Sequence, residues 1–216
     1  MPARSPAPAA KDVPDTTFED AARRGGAGRI AGIDEVGRGP WAGPVVACAV
    51  VLGAIVPYGI DDSKRVTRKR RPALADLLRG AHEHGIGLAS VDEIDAMGIR
   101  PATHLAMRRA VAALGSPPDH LLIDGNDRPP WATGPTQTIV RGDARALSIA
   151  AASIIAKVHR DALMADLARR HPAYGWDTNA GYGTPAHRAA LAQHGVTQHH
   201  RRSFAPIRNM LGAVAP

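Results

Sequence analysis

Several things that would each point to a function are scarce in this sequence. Among 216 residues there is a single cysteine, Cys48. One thiol can form neither an internal disulfide nor a cysteine-rich zinc cluster. Lying inside the apolar stretch VVACAVVL, it reads as a small core residue in a reducing compartment. Aromatic residues make up only 4% of the chain, too few for a surface that stacks successive single-stranded bases on rings. No apolar run approaches the roughly 18 residues of a membrane span. The N-terminal MPARSPAPAAKDVPD has no apolar signal core. Its Pro/Ala-rich composition predicts a disordered tail over residues 1–17, followed by one domain over 18–216. A cytoplasmic location is expected.

Negative charge is scarce too. Asp and Glu total 20 against 27 Lys and Arg, a net +7, and the pI is near 10.3. Such an excess favours a polyanionic partner through long-range attraction and counterion release. With so few rings, contact with a nucleic-acid backbone is expected rather than base reading.

What the chain does contain is a run of short apolar segments. Residues 29–35 and 43–52 read as strands separated by the turn GRGPWAG. A basic loop, DDSKRVTRKRR (61–71), leads into a helix over 68–84. Further strands are expected at 85–91, 119–124 and 136–143, and helices at 92–97, 101–114, 146–170 and 185–194, with a short helix at the C-terminus. In 146–170 the residues Ile149, Ala152, Ile155, Ala156, Leu163 and Leu167 recur on a helical period. Strands first and then strands mixed with helices predict an α/β fold, a mixed sheet covered by helices.

The few acids are placed unusually. Asp34 and Glu35, Asp124 and Asp143 stand at the ends of predicted strands. Buried carboxylates are unfavourable unless paired or bound to metal. Four converging at neighbouring strand ends would repel one another, and two hard divalent cations, Mg²⁺ or Mn²⁺, would relieve that repulsion. Two such ions are a known arrangement for phosphodiester cleavage. Consecutive strand residues face opposite ways. Asp34 and Glu35 are therefore expected where the strand ends or bulges, a break that Gly37 and Gly39 would permit.

The motifs IDEVGRGP, the DSK of DDSK, LLIDGN, RGD followed by SIAAASIIAKVHRD, GYGTPAH and HHRRSFAP run in that order from about residue 30 to 206. Together they resemble type 2 ribonuclease H. The resemblance implies a ribonuclease H-like fold, a mixed five-stranded sheet flanked by helices, with a small C-terminal helical extension over about 172–216. It implies hydrolysis of the RNA strand of RNA–DNA hybrids, cleavage of duplex DNA on the 5′ side of an embedded ribonucleotide, and dependence on Mn²⁺ or Mg²⁺. Asp34, Glu35, Asp124 and Asp143 would be the metal-binding acids. The turn Gly37-Arg38-Gly39 would contact the ribonucleotide, and Ser63, Lys64, Ser153 and Lys157 the phosphates. Tyr182 would stack beside the ribonucleotide and help read its 2′-hydroxyl, the feature that marks RNA. Two positions depart from the pattern. Ala180 stands where many relatives carry Lys, implying one lost phosphate contact, and Gly183 replaces a common Pro. A monomer with no membrane partner is expected.

Ser153, Lys157 and Asp161 are spaced i, i+4, i+8 and share one helix face. Asp161 reads as a support for Lys157 or a nearby Arg, and is the alternative fourth acid. His187, His194, His199 and His200 fit no zinc spacing. With Arg201 and Arg202 they read as solvated or phosphate-facing. GGAGRIAG precedes a strand instead of opening a helix, against dinucleotide binding. The rival readings are a binder without turnover, which the intact acid set opposes, and a DNA endonuclease indifferent to the sugar, which an all-DNA control separates. Binding to hybrid duplex is predicted to weaken steeply with salt, with a log–log slope equivalent to about three to six phosphate contacts. Lys64→Ala and Lys157→Ala should each lower that slope by about one. A slope near zero in gel-shift titrations would contradict the basic binding face.

Overall fold

The first two strands, β1 (Ile30–Val36) and β2 (Val45–Val51), are nearly continuous apolar runs because the sheet is covered on both faces. Alternate side chains enter opposite layers. Val45, Ala47 and Ala49 join Ala31 and Ile33 on one side. Val46, Cys48 and Val50 pack on the other. β3 (Glu83–Ala89) extends an antiparallel meander, and β4 (His120–Asp124) and β5 (Thr136–Ile139) add in parallel. The order β3-β2-β1-β4-β5 puts β1 at the centre. This is the mixed five-stranded sheet expected. The computed structural model describes residues 13–212 apart from 56, 58, 62, 64 and 65. Lys64 and positions 1–12 of the expected tail therefore lie outside the described residues.

The helices are α1 (Thr17–Arg24), α2 (Arg71–Ala81), α3 (Val91–Met97), α4 (Ile99–Ala112), α5 (Leu147–Arg170), α6 (Trp176–Asn179), α7 (Pro185–His194) and α8 (Ala205–Met210). One sheet face is covered by α4, the other by α5 and α2. The start of α5 crosses β1 at Gly32, where any Cβ would run into Ser148 and the backbone of Ile149. From Leu147 to Ala156 every residue of α5 is buried. Beyond that point only Arg160, Met164, Leu167 and Ala168 are. There the helix leaves the sheet and packs against Tyr174, Trp176, Leu191 and Ile207 of the C-terminal segment. Among the described residues no helix is long and apolar enough to cross a membrane.

One expectation is refined and two need correction. The first strand does not bulge at its acids, since β1 and β2 stay in register through Asp34↔Cys48, Glu35↔Ala47 and Val36↔Val46, and it ends at Val36, one residue past Glu35 and just before Gly37. The pairing on the other edge ends earlier, its last pair being Ile33↔Ile123. The fifth strand stops at Ile139, and Asp143 follows in a 3-10 turn, Gly142–Ala144. Arg141, in the left-handed region at φ 58°, turns the chain into it. Finally, the ordered chain begins before residue 17. Asp15 pairs in parallel with Ala146, and α1, which no sequence period announced, follows at once.

Besides packing Ala22 and Phe18 on the core, α1 contributes one buried polar side chain. Glu19 is 1% exposed. Its Oε1 accepts the Ser148 N–H at 2.8 Å and the Ser148 hydroxyl at 2.5 Å. Ala146, at the N-cap of α5, has no side chain that can cap. Glu19 thus caps α5 from another helix and sets a carboxylate against the positive end of its dipole. Glu19→Ala should destabilise the fold by about 1.5–3 kcal/mol, the range for a hydrogen bond to a charged group. Thermal melts should show a fall of about 2–4 °C per kcal/mol at this length. A variant melting with the wild type would show that α1 does not support α5.

Candidate active site

The end of the sheet at β1 and β4 gathers the acids. Asp34 is 6% exposed. Burial pushes its carboxyl well above the ordinary range, and Glu35, Asp124 and Asp143 add repulsion that a Ser153 hydrogen bond opposes. Burial likewise raises Glu35, with Asp124 adding to it and Arg38 working against it. The Asp34 Oδ1 accepts the Glu35 N–H at 2.7 Å, a backbone group just past the last β4 pair. Asp124 closes β4, and its Oδ1 accepts the Gly142 N–H at 2.6 Å. One acid therefore fixes the turn that carries another, Asp143, itself 9% exposed.

The donors fit a hard divalent cation in kind, all being carboxylate oxygens, and in charge, because the repulsion raising Asp34 is what such an ion cancels. Among the described residues no group of three or more His, Cys, Asp or Glu side chains is arranged to hold an ion as placed. The fit is therefore one of chemistry and charge.

The glycine turn stands beside this cluster. Gly37 has φ 95°, and a Cβ there would strike the Arg160 guanidinium. Arg38, about half-exposed, faces Glu35 at 3.4 Å. A Cβ on Gly39 would lie 3.3 Å from the Tyr182 ring, and Trp41 donates its N–H to Gly181 at 2.8 Å. The turn and the Tyr182 loop, about 140 residues apart in sequence, thus meet. Tyr182 is 50% exposed.

Ser63 and Ser153 are each 5% exposed and share a 2.9 Å hydrogen bond. Lys157 donates to Asp161 at 2.5 Å, and Arg71 faces the same carboxylate at 3.6 Å. Asp161 thus supports Lys157 and Arg71, whereas Asp143 acts on Asp34. Arg71 also donates to the carbonyls of Ser63 and Val66, fixing the basic loop.

The histidines and Arg201 differ from their sequence reading. His187, His200 and Arg201 are fully buried, while His194 and Arg202 are exposed. The His200 Nδ1 accepts the Thr197 N–H at 3.0 Å, so its proton sits on Nε2, which donates to the His187 Nε2 at 3.1 Å. The His187 Nδ1 in turn donates to the Tyr182 carbonyl at 2.9 Å. Burial lowers both imidazoles, His200 to about 4. These histidines are neutral core residues that anchor the Tyr182 loop. Arg160, 1% exposed, escaped the sequence reading as well. A signal was available, since it stands on the buried i+4 series Ala152, Ala156, Arg160, Met164.

A mixed five-stranded sheet with acids gathered at the end of its central strands, beside a glycine turn in a basic protein, defines a metal-dependent nuclease of ribonuclease H-like fold. The family model "Ribonuclease HII" matches residues 31–207. The chain is 60% identical to a ribonuclease HII of Jannaschia over 85% of this chain and 93% of that one. It is 56% identical to one of Paracoccus denitrificans over 92% and 95%. The crystal structure of the ribonuclease H2 from Pyrococcus horikoshii superposes with a TM-score of 0.72 at 25% identity, over 84% of this chain and 96% of that one. The chain belongs to the ribonuclease HII family, and its activity is that of a ribonuclease H on RNA–DNA hybrids.

The acid cluster makes a stability prediction. A carboxyl whose native value is raised destabilises the native state once it ionises. The penalty is absent in acid, grows as pH rises past the ordinary value near 3.8, and is full above the native value. Asp34→Asn in chelator should therefore melt at least about 3 °C above wild type at pH 7, with the gap closing in acid. It should also lose much of the rise in melting temperature that Mn²⁺ gives the wild type. A lower melting temperature at pH 7 would show that repulsion does not govern this cluster.

Proposed function

We propose that the chain cuts duplex DNA once, at the phosphate 5′ of an embedded ribonucleotide, and cuts the RNA strand of hybrids by the same chemistry, leaving 3′-hydroxyl and 5′-phosphate ends. Asp34, Glu35, Asp124 and Asp143 would hold two divalent cations, Mn²⁺ or Mg²⁺. When bound, such a pair supplies an activated water for attack on phosphorus and charge neutralisation for the departing 3′ oxygen. No protein nucleophile is required.

The chain's own part is placement. The turn Gly37-Arg38-Gly39 offers backbone amides to a sugar-phosphate backbone, while its two glycines let Arg160 and the Tyr182 ring pack close against it. Arg38 brings a half-exposed guanidinium next to Glu35. Ser153 reaches Asp34, so a phosphate bound at the acids would lie beside it. Ser63, Lys64 and Lys157 complete the reading as contacts to neighbouring phosphates.

The observation that carries the reading is the approach of the Tyr182 ring to Gly39. Two elements in contact at that distance form one continuous surface, against which one sugar can rest. Reading several successive ribose hydroxyls would take a longer row of polar groups. A DNA duplex with one ribonucleotide should therefore be cut at a single position, and an all-DNA duplex left intact. Tyr182→Ala should reduce cutting of the single-ribonucleotide duplex roughly tenfold or more, in line with the worth of one stacked ring, while binding to plain DNA changes little. End-labelled duplexes on a sequencing gel give the position. An intact single-ribonucleotide duplex beside a degraded hybrid would overturn the proposal.

A further inference from the structure

The segment 37–44, between β1 and β2, contains neither helix nor strand. Its carbonyls must find donors elsewhere. Two buried side chains supply most of them. Arg201 donates to Gly37 at 2.6 Å, to Arg38 at 2.9 Å and to Gly43 at 2.8 and 2.9 Å. Arg160 donates to Pro44 at 3.0 Å, to Ala42 at 3.1 Å and, across to the other loop, to Ala180 at 3.1 Å. Every one of these hydrogen bonds ends on a backbone carbonyl. Burial lowers both guanidiniums, Arg160 to about 10 and Arg201 to about 9, and Arg160 lowers Arg201 further.

Two adjacent buried cations whose hydrogen bonds all end on carbonyls are an unfavourable way to fill a core, since apolar residues of similar volume often do it better. What apolar residues cannot do is fix five carbonyls of an irregular turn. A planar guanidinium fork can, and a lysine ammonium cannot match its geometry. Arg160 bonds both the turn and the Tyr182 loop, and the Gly37 position leaves room for nothing beyond a hydrogen against it.

We infer that Arg160 and Arg201 are positioning residues that set the spacing between the glycine turn and Tyr182, and with it the enzyme's selectivity for a single ribonucleotide. The inference rests on the reading that these two elements together contact one sugar. Arg160→Lys and Arg201→Lys keep the charge and remove the fork. Each should be assayed on a single-ribonucleotide duplex and on a continuous hybrid, beside Tyr182→Ala, with the Mn²⁺-induced rise in melting temperature as the check on the acids. A continuous hybrid offers another ribose at every register, whereas a single ribonucleotide offers one. Each lysine variant should therefore lose about tenfold more kcat/KM on the single-ribonucleotide duplex than on the hybrid, mostly in kcat. The Mn²⁺-induced rise should stay within about 1 °C of wild type. Equal fractional losses on both substrates would mean a structural role alone and overturn the inference. If Tyr182→Ala shifts the ratio and the lysine variants do not, the inference falls and the single-sugar reading stands. If Tyr182→Ala leaves the ratio unchanged, both fall. Should the lysine variants fail to fold, Phe204→Leu, which removes the ring 5.1 Å from the Arg201 guanidinium, must shift the ratio in the same direction, and an unmoved ratio overturns the inference.

Discussion

Like charges held close together in a poorly screened place govern this molecule. At an effective dielectric of about 20, two unit charges about 4 Å apart repel by roughly 4 kcal/mol, and four carboxylates share one end of this sheet. Each is held by covalent and hydrogen-bonded structure that the repulsion cannot easily undo. Asp34 sits in the central strand, in register on β2. Asp124 ends the neighbouring strand and is tied to the amide of Gly142. The turn carrying Asp143 is tied in turn to Asp124. The start of α5 behind them is fixed by Glu19 from a separate helix. The sheet centre has to be rigid because the site it displays works against folding until a cation neutralises it.

The opposite charge is handled by opposite means. Asp34, Glu35 and Asp124 stand on strands, where position is set by register. The glycine turn and Tyr182 stand on loops, where nothing regular sets position. There the chain uses buried guanidiniums as donors for loop carbonyls and a pair of neutral histidines as a rod between Thr197 and Tyr182. The C-terminal segment, which carries Arg201 and both histidines, is thus the mould for a turn that lies more than 150 residues earlier in sequence.

How much of this was legible in the sequence depends on how local each cause is. β1, β2 and α5 were readable because their apolar patterns are long and their burial is nearly complete. The acids were readable because charge in an apolar run demands an explanation. α1 was not, since it is short and polar and its supports, Ala22 and Phe18 on the core and a buried carboxylate on Ser148, all lie in contacts distant in sequence. The end of β5 was missed because Arg141 adopts a left-handed conformation that no residue type there announces. Arg201 was misread because HHRRSF has the composition of a solvated loop. Its burial follows only from the contact of residues 199–201 with the segment 41–43. Of the two expected ways to free the acids, a strand end and a bulge, the chain uses the end: β1 stops at Val36 and β4 at Asp124.

These constraints meet at Ala180. It holds a left-handed backbone at φ 50°, which is unfavourable for an alanine by roughly 1–2 kcal/mol. Its side chain makes no polar contact by nature, yet its main chain is fully engaged. Its N–H bonds to Trp176 at 3.0 Å, and its carbonyl receives Arg160 at 3.1 Å. The next residue, Gly181, is held by the Asn179 side chain at 2.8 Å and by the Trp41 N–H at 2.8 Å. The loop that presents Tyr182 is therefore shaped by backbone bonds on both sides of position 180. The side chain at position 180 can therefore vary without releasing the loop, because the strain at Ala180 is held in place by the same guanidinium that holds the glycine turn.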